Sequence, residues 1–233
     1  GKFYRSARYQ EWYQEQIEVA EGNASLLGFE KVSELKLSVA KNIQNFVLGG
    51  GFLFTMCSGT DSFDIALAAQ NTDICESVFD GDPSHPNCDH ELDYSKTFAF
   101  KDFKLIKDPM VYEYSDIDGT YLRTNRTIPK ELDEFTLFDF SAKWDVVPTM
   151  LTQCHQNVIK GFMGQTTDFK KKLIKSSVLI LGETKAAETA RYIHGEMGQG
   201  TWTFYGGHDP EDYQHFVGDP PTDLNLHPNS PGY

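Results

Sequence analysis

Two short stretches hold the residue types that nucleophilic catalysis needs. Cys57 follows the nearly all-apolar run Phe52-Leu53-Phe54-Thr55-Met56 and is followed by Ser58-Gly59. If that run is a strand and the chain turns directly into a helix, the thiol sits at a helix N-terminus. The partial positive charge there favours thiolate, and free backbone N–H groups can receive an oxyanion. The second stretch, Trp202-Thr203-Phe204-Tyr205-Gly206-Gly207-His208-Asp209-Pro210-Glu211, places His208 just past another apolar run. Asp209 and Glu211 follow closely enough to orient its imidazole. Cys57 as nucleophile, His208 as base and Asp209 or Glu211 as orienter make a catalytic set. Ser58, Gly59 and Gly207 would then line the substrate position. Trp144 and Asp145 suit the same crevice, because an aromatic ring beside a carboxylate fits a sugar or another polar small molecule; a core tryptophan fits Trp144 equally. A cysteine after a buried strand can also be an inert small hydrophobe, and His208 can be a structural histidine.

Other groupings fall short of a metal or cofactor site, and none is expected. His208, Asp209, Glu211, Asp212 and His215 crowd together, but the following Gly218-Asp219-Pro220-Pro221 is loop-like and presents no ligands on one helix face. Asp80, Asp82, Ser84 and Glu91 match oxygen positions of a calcium loop. His85 takes the place that needs glycine, and Pro83 and Pro86 stiffen the backbone. The four cysteines lack paired zinc-ligand spacing. Cys75 and Cys88 flank a polar loop, either as a disulfide or as two free thiols.

The elements that must position these residues follow from periodicity. Tyr9, Trp12, Tyr13, Ile17 and Ala20 recur at helical spacing until Gly22-Asn23. After Ser33, a suitable N-cap, Leu35, Val39, Ile43, Phe46 and Val47 mark a second amphipathic helix ending at Gly49-Gly50-Gly51. The Phe52 to Met56 strand comes next, then a third helix from about Ser62 to Gln70. Helix, glycine turn, buried strand, sharp turn and helix is the repeating unit of a doubly wound, mainly parallel α/β sheet. Residues 80–140 read as an insertion or lid: a polar loop from Asp80 to Asp93, then antiparallel stretches near Thr97 to Phe103, Val111 to Tyr114 and Phe135 to Phe140. Three further strands are expected at Val178 to Leu181, Ala190 to His194 and Thr201 to Tyr205, with Gly195 to Gly200 as a hairpin turn.

Composition fits one α/β domain over residues 1–233. Hydrophobic residues make up 39% and aromatics 13%, enough for a core. A net charge of −13 disfavours duplex nucleic acid and anionic membrane as partners. The longest apolar stretch, Phe46 to Met56, is far short of the roughly 20 residues that span a bilayer. The start at Gly1 and the turn-rich Pro228 to Tyr233 run suggest a piece of a longer chain that lacks N-terminal strands. A Cys57–His208 set would act on a small amide or ester; a sugar or a protein partner is the expectation for a binding module.

At Gly49 to Gly51, Cys57, Gly207-His208 and Glu211 the sequence resembles the class I glutamine-amidotransferase-like superfamily. Its fold is flavodoxin-like, with a cysteine at a strand-to-helix elbow and a late strand ending in a histidine motif. Gly200 to His208 looks most like the trehalose-utilisation-type (ThuA-like) branch, whose members often lack an amidotransferase triad. The resemblance implies either a Cys57–His208 hydrolase acting on a small amide or ester, or a non-catalytic binding or assembly module of the cell envelope. Two features depart from the superfamily pattern: Met56 and Ser58 flank Cys57 where the elbow usually carries glycines, and His208-Asp209-Pro210-Glu211 replaces the His-x-Glu spacing. The whole chain also resembles exported bacterial proteins labelled asparagine synthetase B, which implies a periplasmic or exported site. The residues do not suit that label's ATP chemistry: Ser58-Gly59-Thr60-Asp61-Ser62 is shorter than the synthetase pyrophosphate loop, and the chain does not begin with cysteine.

Overall fold

The computed structural model describes residues 2–119, 134–137, 158–160, 168–185 and 188–206. Helix α1 (Lys2–Ala7) leads into α2 (Glu11–Leu26) and α3 (Val32–Leu48). Helix α2 runs past Gly22-Asn23, where the sequence suggested a stop. One interior glycine costs a helix only about 1 kcal/mol, whereas Gly28, at φ 81°, supplies the left-handed position that ends it. The Phe29 N–H reaching back to the Ala24 carbonyl at 2.9 Å closes that end. Helix α3 starts one residue before the expected Ser33 cap. Glu34 reaches back to accept the backbone N–H of Glu30 at 3.1 Å and of Lys31 at 3.3 Å, satisfying donors just ahead of the first turn.

Strand β1 (Phe52–Met56) and helix α4 (Gly59–Ala68) follow as expected, with a short α5 (Ser77–Asp80) beyond them. The remaining strands are β2 (Glu134–Leu137), β3 (Val158–Lys160), β4 (Phe169–Lys170), β5 (Leu179–Thr184), β6 (Thr189–Met197) and β7 (Gly200–Tyr205). Together they form a mixed seven-stranded sheet in the order β1-β7-β6-β5-β2-β3, with β4 on β6. The fold is α/β, but the sheet is not the mainly parallel one expected. Among the described strands only β1 and β7 pair in parallel; every other pair is antiparallel. The physical reason is the connection: β5, β6 and β7 follow one another through short turns, which reverse the chain, whereas a parallel neighbour needs a long crossover. The hairpin turn is tighter than Gly195 to Gly200. Strand β6 runs to Met197, and only Gly198-Gln199 separate it from β7.

The strands expected at Thr97 to Phe103 and Val111 to Tyr114 are absent, and residues 98–119 contribute only isolated bridges. Buried Asp64 of α4 explains the first loss. Its carboxylate accepts the backbone N–H groups of Phe98, Ala99 and Phe100 at 2.6, 2.7 and 2.8 Å, the donors that a strand would have given to a neighbour. Held in this way, Phe98 and Phe100 pack with Trp202 and Phe204 of β7 to form the aromatic centre of the core. Helices α3 and α4 cover the face of β1 that carries Leu53 and Thr55. Phe52, Phe54 and Met56 point the other way and remain 49%, 36% and 38% exposed.

Candidate functional site

The site begins at the joint between β1 and α4. Cys57 is half-buried, with φ at 54°, a left-handed conformation uncommon for a residue bearing a Cβ. Its N–H donates to the Tyr205 carbonyl at 3.2 Å, the last rung of the parallel ladder to β7. Its own carbonyl accepts from the Thr60 N–H at 3.1 Å and the Thr60 hydroxyl at 2.6 Å, drawing the chain straight into the first turn of α4. Gly59 is required here, because a Cβ at that position would run into the Thr55 hydroxyl. The strained strand-to-helix turn therefore forms although Met56 and Ser58 stand where glycines were expected: the small residue that matters is Gly59, two positions after the cysteine. Ser58 occupies the N-cap position in helical conformation, and its carbonyl accepts the Ser62 hydroxyl at 2.7 Å.

Opposite this turn the ladder changes partner. Gly206 donates to the Arg191 carbonyl at 2.6 Å, and one step further along β6 Ala190 is paired with Phe169 of β4. The β6 position beyond Arg191 is thus taken by β4. Asp118 bridges the far side of Phe169, in line with β1 as β4 is in line with β7. The carboxyl ends of β1 and β7 consequently face β4 and the 112–118 segment across a seam, with Cys57 on its edge.

Charged side chains buried around the seam were not singled out from the sequence: Glu113, Asp118, Asp168 and Arg191, each no more than 4% exposed. The Arg191 Nε lies 3.1 Å from the Asp168 Oδ1 and donates to the Thr184 hydroxyl at 2.9 Å, while the Thr189 hydroxyl donates to the same Asp168 oxygen at 2.6 Å. Burial pushes the Asp168 carboxyl above its ordinary range and nearby Asp118 adds to this; Arg191 and Thr189 pull the other way. Tyr112 is likewise raised, first by burial and then by Cys57, Asp118 and Glu113. One signal was available in the sequence, since Arg191 interrupts an apolar β-type run, where a charge stays buried only with a partner.

Among the residues expected at the site, Cys57, Ser58 and Gly59 come together beside Gly206. Gly207, His208, Asp209 and Glu211 lie outside the described residues, as do Trp144, Asp145 and Cys154. Cys75 and Cys88 are free thiols rather than a disulfide. Cys88 is buried and accepts from Lys107 at 3.4 Å. Burial, and then Asp80, push Cys75 up to about 12, which leaves its thiol protonated and unreactive. The oxygens of the Asp80 to Glu91 loop diverge. Asp80 and Asp82, together with Asp73, converge on the Lys31 ammonium, Ser84 donates to Glu76, and Glu91 pairs with His85. No described helix is long and apolar enough to cross a membrane. No family model, curated protein or solved structure matches this chain.

Proposed function

We propose that the protein is a cysteine-dependent hydrolase or amidotransferase-like enzyme acting on a small amide or ester. The observation that carries this reading is the Cys57 turn: a thiol at positive φ, between a strand end and a helix N-terminus, beside the carboxyl end of β7. His208 follows Gly206 by two residues in sequence. In this mechanism Cys57 attacks the carbonyl carbon, and His208 takes the thiol proton and returns it to the leaving amine or alcohol. Asp209 or Glu211 holds the imidazole, and backbone N–H groups after Cys57 receive the oxyanion. Water then releases the acyl group from sulfur.

The likeness to the class I glutamine-amidotransferase-like superfamily has local support only, in one parallel strand pair with a cysteine elbow inside a largely antiparallel sheet. An exported location belongs to the same proposal. A second reading, a non-catalytic envelope module that binds a carbohydrate or a protein, is favoured by the exposed Phe52, Phe54 and Met56 stripe.

Iodoacetamide alkylation of Cys57 against pH, read by mass spectrometry in the parent and in His208→Ala, separates the two. An ordinary cysteine titrates near about 8.5. For an enzyme, alkylation stays fast well below that pH and slows at least about tenfold in the variant, the loss expected when a thiol loses its activating base. Slow alkylation that is indifferent to the substitution rejects the catalytic reading and leaves the binding module.

A further inference from the structure

We propose that Asp73, Asp80 and Asp82 form a calcium site in which the Lys31 ammonium is the displaceable occupant. The site stands apart from the Cys57 turn and does not depend on the catalytic reading. Three observations carry it. One oxygen from each of the three carboxylates lies within 4.8 Å of the other two. Oxygens bound to calcium sit at about 2.3 to 2.6 Å from the ion, so two of them can be up to about 5 Å apart; magnesium, at about 2.0 to 2.1 Å, admits a spread of only about 4 Å. The second observation is Asp80. Its side chain is only 8% exposed, and neither carboxylate oxygen has a hydrogen-bond partner. The Lys31 Nζ stands 3.6 Å from its Oδ2, beyond hydrogen-bond reach, and the Cys75 thiol beside it offers only a weak S–H. A buried carboxylate is ordinarily satisfied, so Asp80 faces the cluster with its acceptor capacity unused. The third observation is charge: three carboxylates share the single Lys31 ammonium.

The backbone around the site is built to gather these oxygens. Asp80 is the last residue of α5, and Gly81, at φ 95°, turns the chain so that Asp82 comes back beside it. Asp73 is fixed from the other side, its Oδ1 accepting the Cys75 N–H at 2.8 Å while its Oδ2 faces Lys31 at 3.1 Å. Lys31 reaches in from the start of α3 on a flexible stem, and a compact, strongly hydrated ammonium can return to water. Asp82, with a 52% exposed side chain, leaves room for waters to complete the coordination shell that calcium requires. Burial, and then Asp80, push Cys75 up to about 12, so the thiol keeps its proton and stays out of the shell, which favours a hard cation over zinc. The set differs from the loop count at Asp80, Asp82, Ser84 and Glu91: Ser84 and Glu91 turn to Glu76 and His85, and Asp73 takes part instead.

Isothermal titration of calcium chloride into the metal-free chain tests the site, with parent, Lys31→Met and Asp80→Asn compared and magnesium chloride run in parallel. The parent should bind a single calcium in the weak range of about 10⁻⁴ to 10⁻³ M. Lys31→Met should bind at least about tenfold tighter, because the competitor that keeps the open form scarce is gone. Asp80→Asn should bind at least about tenfold more weakly, since the site loses a charged ligand. Diffuse attraction to a chain with 34 acidic residues would barely register the loss of one. Asp82→Asn, at an exposed position, repeats the comparison if Asp80→Asn does not fold. A parent that binds no calcium up to about 10 mM, well above that weak range, makes Lys31 the permanent cation and overturns the proposal. An affinity unchanged by Lys31→Met, or unchanged in the asparagine variants, overturns it too. Magnesium bound as tightly as calcium overturns the choice of ion.

Discussion

At the scale of the residue, the backbone conformation of Cys57 is the feature with the clearest energetic consequence. A left-handed φ costs a residue with a Cβ about 1 to 2 kcal/mol, and such strain persists only where surrounding bonds fix it. Here Tyr205, Thr60 and the Thr55–Gly59 approach do so. Glycine carries no such penalty, so Cys57→Gly should be more stable to urea than Cys57→Ala by about 0.5 to 1 kcal/mol, after allowing for the greater freedom of glycine in the unfolded chain. Alanine equal to or better than glycine would show that the turn is not held at positive φ in solution. The thiol itself was legible in the sequence, because its type stands out at the boundary between an apolar run and Ser58-Gly59. The neighbours that set its surroundings were not. Tyr112, Glu113 and Asp118 lie in an aperiodic loop, and Asp168 becomes relevant only once β4 is seen to take the ladder position after β7.

At the scale of the element, Asp64 determines the shape of the loop that packs on the core. Three backbone N–H groups converge on its carboxylate, and each would be buried without a partner in Asp64→Ala. At about 1 to 3 kcal/mol for an orphaned buried donor, partly relieved by relaxation, the loss should be on the order of 3 to 5 kcal/mol in denaturant titration. Loss below about 1 kcal/mol would mean that the 98–100 loop finds other acceptors. Burial raises the Asp64 carboxyl to about 6, against the three N–H donors and Lys175, which hold it down. Because the folded value lies above the ordinary value of 3.8, its contribution to stability is complete below about pH 4 and is lost as pH rises through about 6. Relative to Asp64→Asn, which cannot titrate, the parent should therefore lose up to roughly 3 kcal/mol over that interval. A stability difference that is flat, or that grows in the parent's favour with pH, would show that the donors outweigh burial. The same contact explains why the 97–103 stretch reads as a strand in sequence. Its alternation is real, but a carboxylate 34 residues earlier in the chain takes its donors, and no local pattern reveals such a partner. Helix α4 and strand β7 were legible because their apolar periodicity coincides with the faces they bury; α3 was legible as a helix, but of its expected stripe Val39 and Phe46 stay exposed while Val47, with Ala40, is buried.

At the scale of the whole molecule, the sheet leaves one set of apolar side chains without a covering helix among the described elements. Strand β1 ends the strand order, carries no charge, and shows Phe52, Phe54 and Met56 on its uncovered face. An uncharged strand in that position is prone to self-association. Net charge opposes this at neutral pH, where the chain carries −13; mutual repulsion between copies keeps them apart. That protection vanishes near the sequence pI of 4.9, where the apolar stripe meets no electrostatic barrier. Light scattering should therefore peak near pH 5 and decline on either side, with the neutral-pH sample clear. Phe54→Thr separates charge from surface, since it leaves the net charge unchanged, retains a β-favouring residue and removes the ring that stacks on Tyr205. Scattering near pH 5 should fall at least about twofold in that variant, as removal of an edge aromatic predicts, with the pH of the maximum unchanged. An equal maximum in both proteins would place the attractive surface elsewhere and imply that the β1 face is covered in solution.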